Sequence, residues 1–117
     1  MAGGRPLAFL LVVIVALALA GCGGDEERGS EAASQAKVGI VDFRFMPKAI
    51  TLEAGGRVTW LNSDVAPHTA TADDRDEFET GRLETGDSKT IVFREPGTFS
   101  YLCLFHPFMV GTVEVVD

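Results

Sequence analysis

The sequence predicts an all-β fold, a Greek-key β-sandwich of about seven or eight short strands, and three observations carry that reading. From residue 37 to residue 117, short runs alternate apolar and polar side chains. Gly, Pro, Asp and Asn punctuate those runs. No stretch sustains a helical period, and turns this dense suit antiparallel strands folded into two packed layers. With 117 residues, 46% hydrophobic and 23% charged, the chain can build one core and is too short for two ordinary domains.

The strands are expected in the following order. Residues 38–45 open the domain, Met46-Pro47 interrupts, and residues 49–52 continue extended up to an Ala54-Gly55-Gly56 turn. Residues 58–62 alternate cleanly, with Val58 and Trp60 on one face and Thr59 and Leu61 on the other. The loop 63–67 leads to His68, and Pro67 stiffens the approach by fixing its own φ and keeping Ala66 extended. Residues 69–71 leave as a short strand. Residues 73–79 hold five acids and one arginine, a solvated loop or an acidic docking face. Residues 88–93 point Ile91 and Phe93 inward, and Glu95-Pro96-Gly97 turns the chain back. Residues 98–103 align Phe99, Tyr101 and Cys103, and residues 110–116 close the domain with Val113 and Val115 inward opposite Glu114.

Ahead of this domain, residues 7–20 are almost wholly apolar, behind Arg5 and before Gly21-Cys22. That layout is an export signal. A run of about fourteen falls short of the roughly twenty residues a bilayer span needs. Leu19-Ala20-Gly21-Cys22 resembles the bacterial lipobox, so residues 1–21 are read as a lipoprotein signal peptide and Cys22 as the lipid-attachment residue. An ordinary secretory peptide cut nearby is the other reading. Residues 22–36 lack aromatic and β-branched side chains and read as a flexible tether, with residues 37–117 as the folded domain. The protein is thus expected in the cell envelope, anchored to a membrane and facing the periplasm or the outer surface.

The net charge of −7 argues against nucleic acid as a partner. The sequence has two cysteines, and with Cys22 assigned to lipid, Cys103 has no disulfide partner. A leftover cysteine in an exported chain is a reactive thiol, an intermolecular bridge or a metal ligand. Its neighbours favour the last, because Cys103, His106 and Met109 recur at three-residue spacing and His68 is the one other histidine. Thiolate, imidazole and thioether together suit copper, and two histidines and a cysteine with a weak axial methionine form the blue-copper arrangement. On a continuous strand Cys103 and His106 would face opposite ways, so a turn through Leu104-Phe105-His106-Pro107 is required.

The motif Cys-x-x-His-Pro-Phe-Met, followed by Gly and a β-branched strand, resembles the copper loop of cupredoxins of the amicyanin type. Residues 62–68 resemble the first-histidine loop of plastocyanin and pseudoazurin. The likeness covers residues 37–117. It implies one mononuclear type 1 copper, cycling between Cu(I) and Cu(II), with His68, Cys103 and His106 as equatorial ligands and Met109 as axial ligand. It implies one-electron transfer between a donor and an acceptor redox protein; the chain is expected to be a monomer. An apolar patch around His106 would serve for docking, with Pro67, Pro107 and Phe108 as candidates; packing within the loop is the other role open to Phe108. Met46 and Phe105 are read as core or rim. These families usually carry Asn after the first histidine; here Thr69 stands in that place, with less reach across to the second loop. The Phe105 N–H is expected to donate to the Cys103 sulfur. No histidine is left over for a second metal, which disfavours an enzyme, and zinc is a poor match for a methionine ligand. A copper-delivery protein of the envelope is the alternative to a carrier.

Overall fold

The computed structural model describes residues 3–4 and 31–117. Apart from residues 3–4, the expected signal peptide, Cys22 and most of the proposed tether lie outside the described residues. Seven strands form one mixed sheet: β1 (Ala33–Val41), β2 (Arg44–Met46), β3 (Ala49–Asn62), β4 (Thr71–Ala72), β5 (Ser88–Phe93), β6 (Gly97–Leu102) and β7 (Val110–Val116). Their path is β2-β1-β3-β7-β6-β4, with β5 on the other edge of β3. No described helix is long and apolar enough to cross a membrane.

Strand β3 makes this sheet a sandwich. Its first part, residues 49–53, pairs in parallel with β7. Its second part, residues 56–62, lies between β1 and β5. The chain passes between layers at Gly55 and Gly56, where the sequence predicts a turn ending one strand. Gly55 takes φ +87°, and a Cβ on Gly56 would stand 2.8 Å from the Leu52 side chain. Two glycines therefore let one strand bend instead of stopping.

Two further expectations change. Strand β1 begins at Ala33, because Gln35 and Ala36 pair with Arg57 and Val58. Residues 33–36, read as tether, thus belong to the sheet: exposed polar side chains do not prevent a backbone from completing a ladder. At the other end of β1, residues 38–45 are not one strand. Asp42 (φ 52°) and Phe43 (φ 57°) form a two-residue hairpin between paired Val41 and Arg44, the positive-φ geometry that suits the twist of antiparallel strands.

The short strand expected at 69–71 is shifted to Thr71–Ala72, whereas the alternation predicted for residues 58–62, 88–93 and 110–116 holds. Val58 and Trp60 are buried with Leu61 outside, Phe93 is buried and Ile91 packs beside it, and Val113 and Val115 are buried opposite exposed Glu114. Trp60 sits at the centre, stacked on Phe78 at 5.3 Å and edge-on to Tyr101 at 5.5 Å. Phe78 belongs to the acidic segment, so that loop is exposed in its charges and pinned to the core by one ring. Tyr101 meets Phe45 at 4.7 Å and lies over its cross-strand partner Gly111, where a Cβ would run into its ring. Burial pushes the Tyr101 phenol up to about 12.

Candidate metal centre

Two loops at one end of the sandwich carry the residues singled out above. The first follows β3. Asn62, wholly buried, accepts from the Asp64 N–H through Oδ1 (2.9 Å) and donates through Nδ2 to the carbonyls of Ala66 and Leu83 (both 2.9 Å). One amide side chain thus folds the loop and ties it to a neighbouring segment. His68 is held there by a reciprocal backbone pair with Leu83, at 3.1 and 2.8 Å.

The second loop follows β6 and is closed by its own backbone. His106 N–H donates to Cys103 O (3.2 Å), Met109 N–H to His106 O (2.9 Å) and Cys103 N–H to Met109 O (3.1 Å). The turn the sequence requires therefore exists, and it carries His106 back beside Cys103. The sulfur of Cys103 lies 3.7 Å from Nδ1 of His68 and 3.7 Å from Nδ1 of His106. All three donor atoms fall within 4.8 Å of one another. Cys103, Met109 and His68 are buried, and His106 is half-buried.

Three donors converging without a covalent link, in a buried place, are a metal-binding arrangement. The donor set of thiolate and two imidazoles, with the Met109 thioether buried in the same loop, suits a type 1 copper site.

Thr69 makes the cross-loop tie after all. Its Oγ1 accepts from the Leu104 N–H at 2.9 Å and from Thr71 Oγ1 at 3.0 Å. Its own N–H donates to the Cys103 sulfur at 3.4 Å. Among the described residues that N–H, not the one of Phe105, is the backbone donor on the sulfur. The His68 loop lies against the thiol, so the donor comes from across the site and not from the turn after Cys103.

Two residues escaped sequence reasoning. Asp64 accepts from Nε2 of His68 at 2.9 Å, and its side chain is only 11% exposed. Phe43 sets its ring edge-on to His68 (5.2 Å between centroids) and to His106 (5.0 Å). Burial acts to raise the Asp64 carboxyl, but the N–H groups of Phe43 and Asp42 and the His68 imidazole hold it below the usual carboxylate range. A carboxylate four residues before a candidate ligand histidine is a signal the sequence does contain. Nothing in the sequence points to Phe43.

Around His106 the surface is apolar. Phe108 is 70% exposed, its ring 6.0 Å from the imidazole, and Phe105 is 46% exposed under the Arg82 guanidinium at 5.6 Å. Pro107 is exposed and Pro67 half-buried. Met46, 50% exposed, is rim and not core.

A family model for the cupredoxin-like domain matches residues 8–115. Amicyanin-alpha of Methylorubrum extorquens is 31% identical over 117 aligned residues, which cover 95% of this chain and 98% of that protein. The solved amicyanin of Paracoccus versutus superposes with a TM-score of 0.63 at 31% identity, over 74% of this chain and 86% of its own. A copper-containing nitrite reductase from Thermus scotoductus superposes at 0.66 and 29% identity, over 71% of this chain, which spans 22% of that enzyme.

Proposed function

The chain belongs to the cupredoxin-like family, and from that premise we propose that it is a small blue-copper electron carrier that moves one electron at a time between two redox proteins. The observation that supports this best is the set of three donor atoms within 4.8 Å, held by two loops that are hydrogen-bonded internally and to each other. His68, Cys103 and His106 would be the equatorial ligands and Met109 the axial one. Copper supplies the one-electron couple. The protein supplies rigidity: ligands that need not rearrange between oxidation states keep the barrier to each transfer low.

His106 is the route in and out, because its ring is half-buried among Phe43 and Phe108 while His68 is sealed. The exposed rings of Phe108 and Phe105 beside it form the docking face, as apolar patches commonly do. Both histidines of the chain stand in one cluster, which favours a carrier over a catalytic domain such as a nitrite reductase with further metal. Enclosed single ligands favour a carrier over a delivery protein, which would release copper from an open site. We place the protein in the cell envelope as a monomer, held to a membrane through Cys22; Cys22→Ala should release it, and continued retention would count against that anchor.

The deciding measurement is the visible spectrum after adding Cu(II). An intense blue band that disappears in Cys103→Ser, together with reversible voltammetry in a mild chelator without metal loss, supports the carrier. A pale spectrum indifferent to the substitution rejects the ligand set. Loss of copper to the chelator favours delivery.

A further inference from the structure

Asp64 is connected in two directions. Toward the candidate metal centre, Oδ2 faces Nε2 of His68 at 2.9 Å, which puts the imidazole proton on Nε2 and turns the Nδ1 lone pair toward Cys103. Toward the edge of the sheet, Oδ2 accepts from the Phe43 N–H at 2.9 Å and Oδ1 from the Asp42 N–H at 2.8 Å. These two are turn residues with positive φ and side chains other than glycine, a conformation that Asp tolerates and Phe rarely adopts, and that gains from support outside the turn. The turn in turn places the Phe43 ring against both imidazoles.

We propose that Asp64 is a positioning residue: its single carboxylate fixes the tautomer of His68 and, through the same atoms, latches the Asp42–Phe43 hairpin so that Phe43 closes on His68 and His106. This rests on the copper reading above for its consequence, but not for its geometry. An anionic partner on the far nitrogen strengthens an imidazole as a donor and favours the more highly charged metal state. Removing the carboxylate therefore weakens Cu(II) binding more than Cu(I) binding and raises the reduction potential. Each tenfold difference between the two losses corresponds to about 59 mV.

The test begins on the full chain without metal. Imidazole nitrogen NMR should show His68 as the Nε2–H tautomer, and the Asp42 and Phe43 amides, which have no strand partner at the turn, should exchange slowly. In Asp64→Ala both properties should be lost, with turn-amide exchange at least about tenfold faster. Asp64→Asn separates them: its one carbonyl oxygen can still serve His68 and Phe43, while its amide nitrogen meets the Asp42 N–H as donor against donor. The tautomer should persist and the Asp42 amide should lose protection. Phe43→Leu should leave both unchanged. With copper added, Asp64→Ala should bind Cu(II) roughly 10–100-fold more weakly and show the higher potential. A folded Asp64→Ala protein whose turn amides stay protected, or a folded Asp64→Asn protein whose Asp42 amide does, overturns the latch. An unchanged tautomer in Asp64→Ala overturns the positioning of His68. Because these readings need no metal, they stand even if the blue-copper assignment fails.

Discussion

His68 and His106 offer the same ring nitrogen to the same cluster, yet their surroundings differ in kind. His68 is sealed, its backbone paired with Leu83 and its far nitrogen on a carboxylate. His106 sits in a loop closed by short-range backbone hydrogen bonds and tied to the first loop through Leu104 and Cys103, and its own ring has aromatic rings on two sides. The contrast separates two tasks that one metal site must perform. One imidazole is fixed by polar contacts reaching across the fold, and the other is framed by apolar surface that a partner can cover. A site in which both were sealed would hold a metal but offer a partner no close approach to it.

Perturbing the first histidine should have the largest effect. Asp64→Ala removes one acceptor from three N–H donors, two of them in a strained turn, and should lower unfolding free energy by about 3 kcal/mol in urea, with slopes unchanged. A control on the shared frame comes next. The folded Tyr101 phenol, raised to about 12 from an ordinary 10, contributes stability that is complete below pH 10 and is lost as pH climbs toward 12. Over that window the metal-free protein should lose on the order of 2–3 kcal/mol, while the Phe43 hairpin amides keep their relative protection. Thr69→Val then tests the tie between the two loops. It leaves the Leu104 N–H without its acceptor, and should cost about 1–2 kcal/mol and shift the blue band, since both loops touch the sulfur. The smallest change belongs to the second histidine: Phe108→Ala should alter stability by less than about 0.5 kcal/mol. Its effect should appear instead as slower electron exchange with a protein partner and an unchanged rate with a small inorganic oxidant. If Phe108→Ala destabilised the fold as much as Asp64→Ala, the division of labour would be wrong.

What the sequence discloses and what it hides follow the same division. The spacing of Cys103, His106 and Met109 is local, and the alternation of Val58, Trp60, Phe93 and Tyr101 is the period of a strand, so both can be read along the chain. Asp64 could be suspected from its distance to His68, but its second role on Asp42 and Phe43 joins residues some twenty positions apart and has no local signature. The hairpin is hidden because Phe43 stands where such a turn ordinarily carries glycine: Asp42 tolerates positive φ, but a phenylalanine there gives no turn signal. Phe78 was concealed by its acidic neighbours, whose charges describe a solvated loop while one ring anchors it beneath Trp60. The start of β1 was missed for a related reason: a strand can be recruited by its partner's unpaired backbone.

The bend of β3 at Gly55 and Gly56 has a kinetic side as well. A strand that belongs to both layers must wait for partners from both ends of the domain: residues 35–40 in front of it and residues 112–116 far behind, each in parallel register that no tight hairpin can deliver. Such a topology has high contact order, so folding should be slow compared with a simple meander of the same size, and neither layer should persist without the other. The ligand-bearing second loop leads directly into β7, so it should acquire its final place beside His68 only as that last strand pairs with β3 and the two layers close.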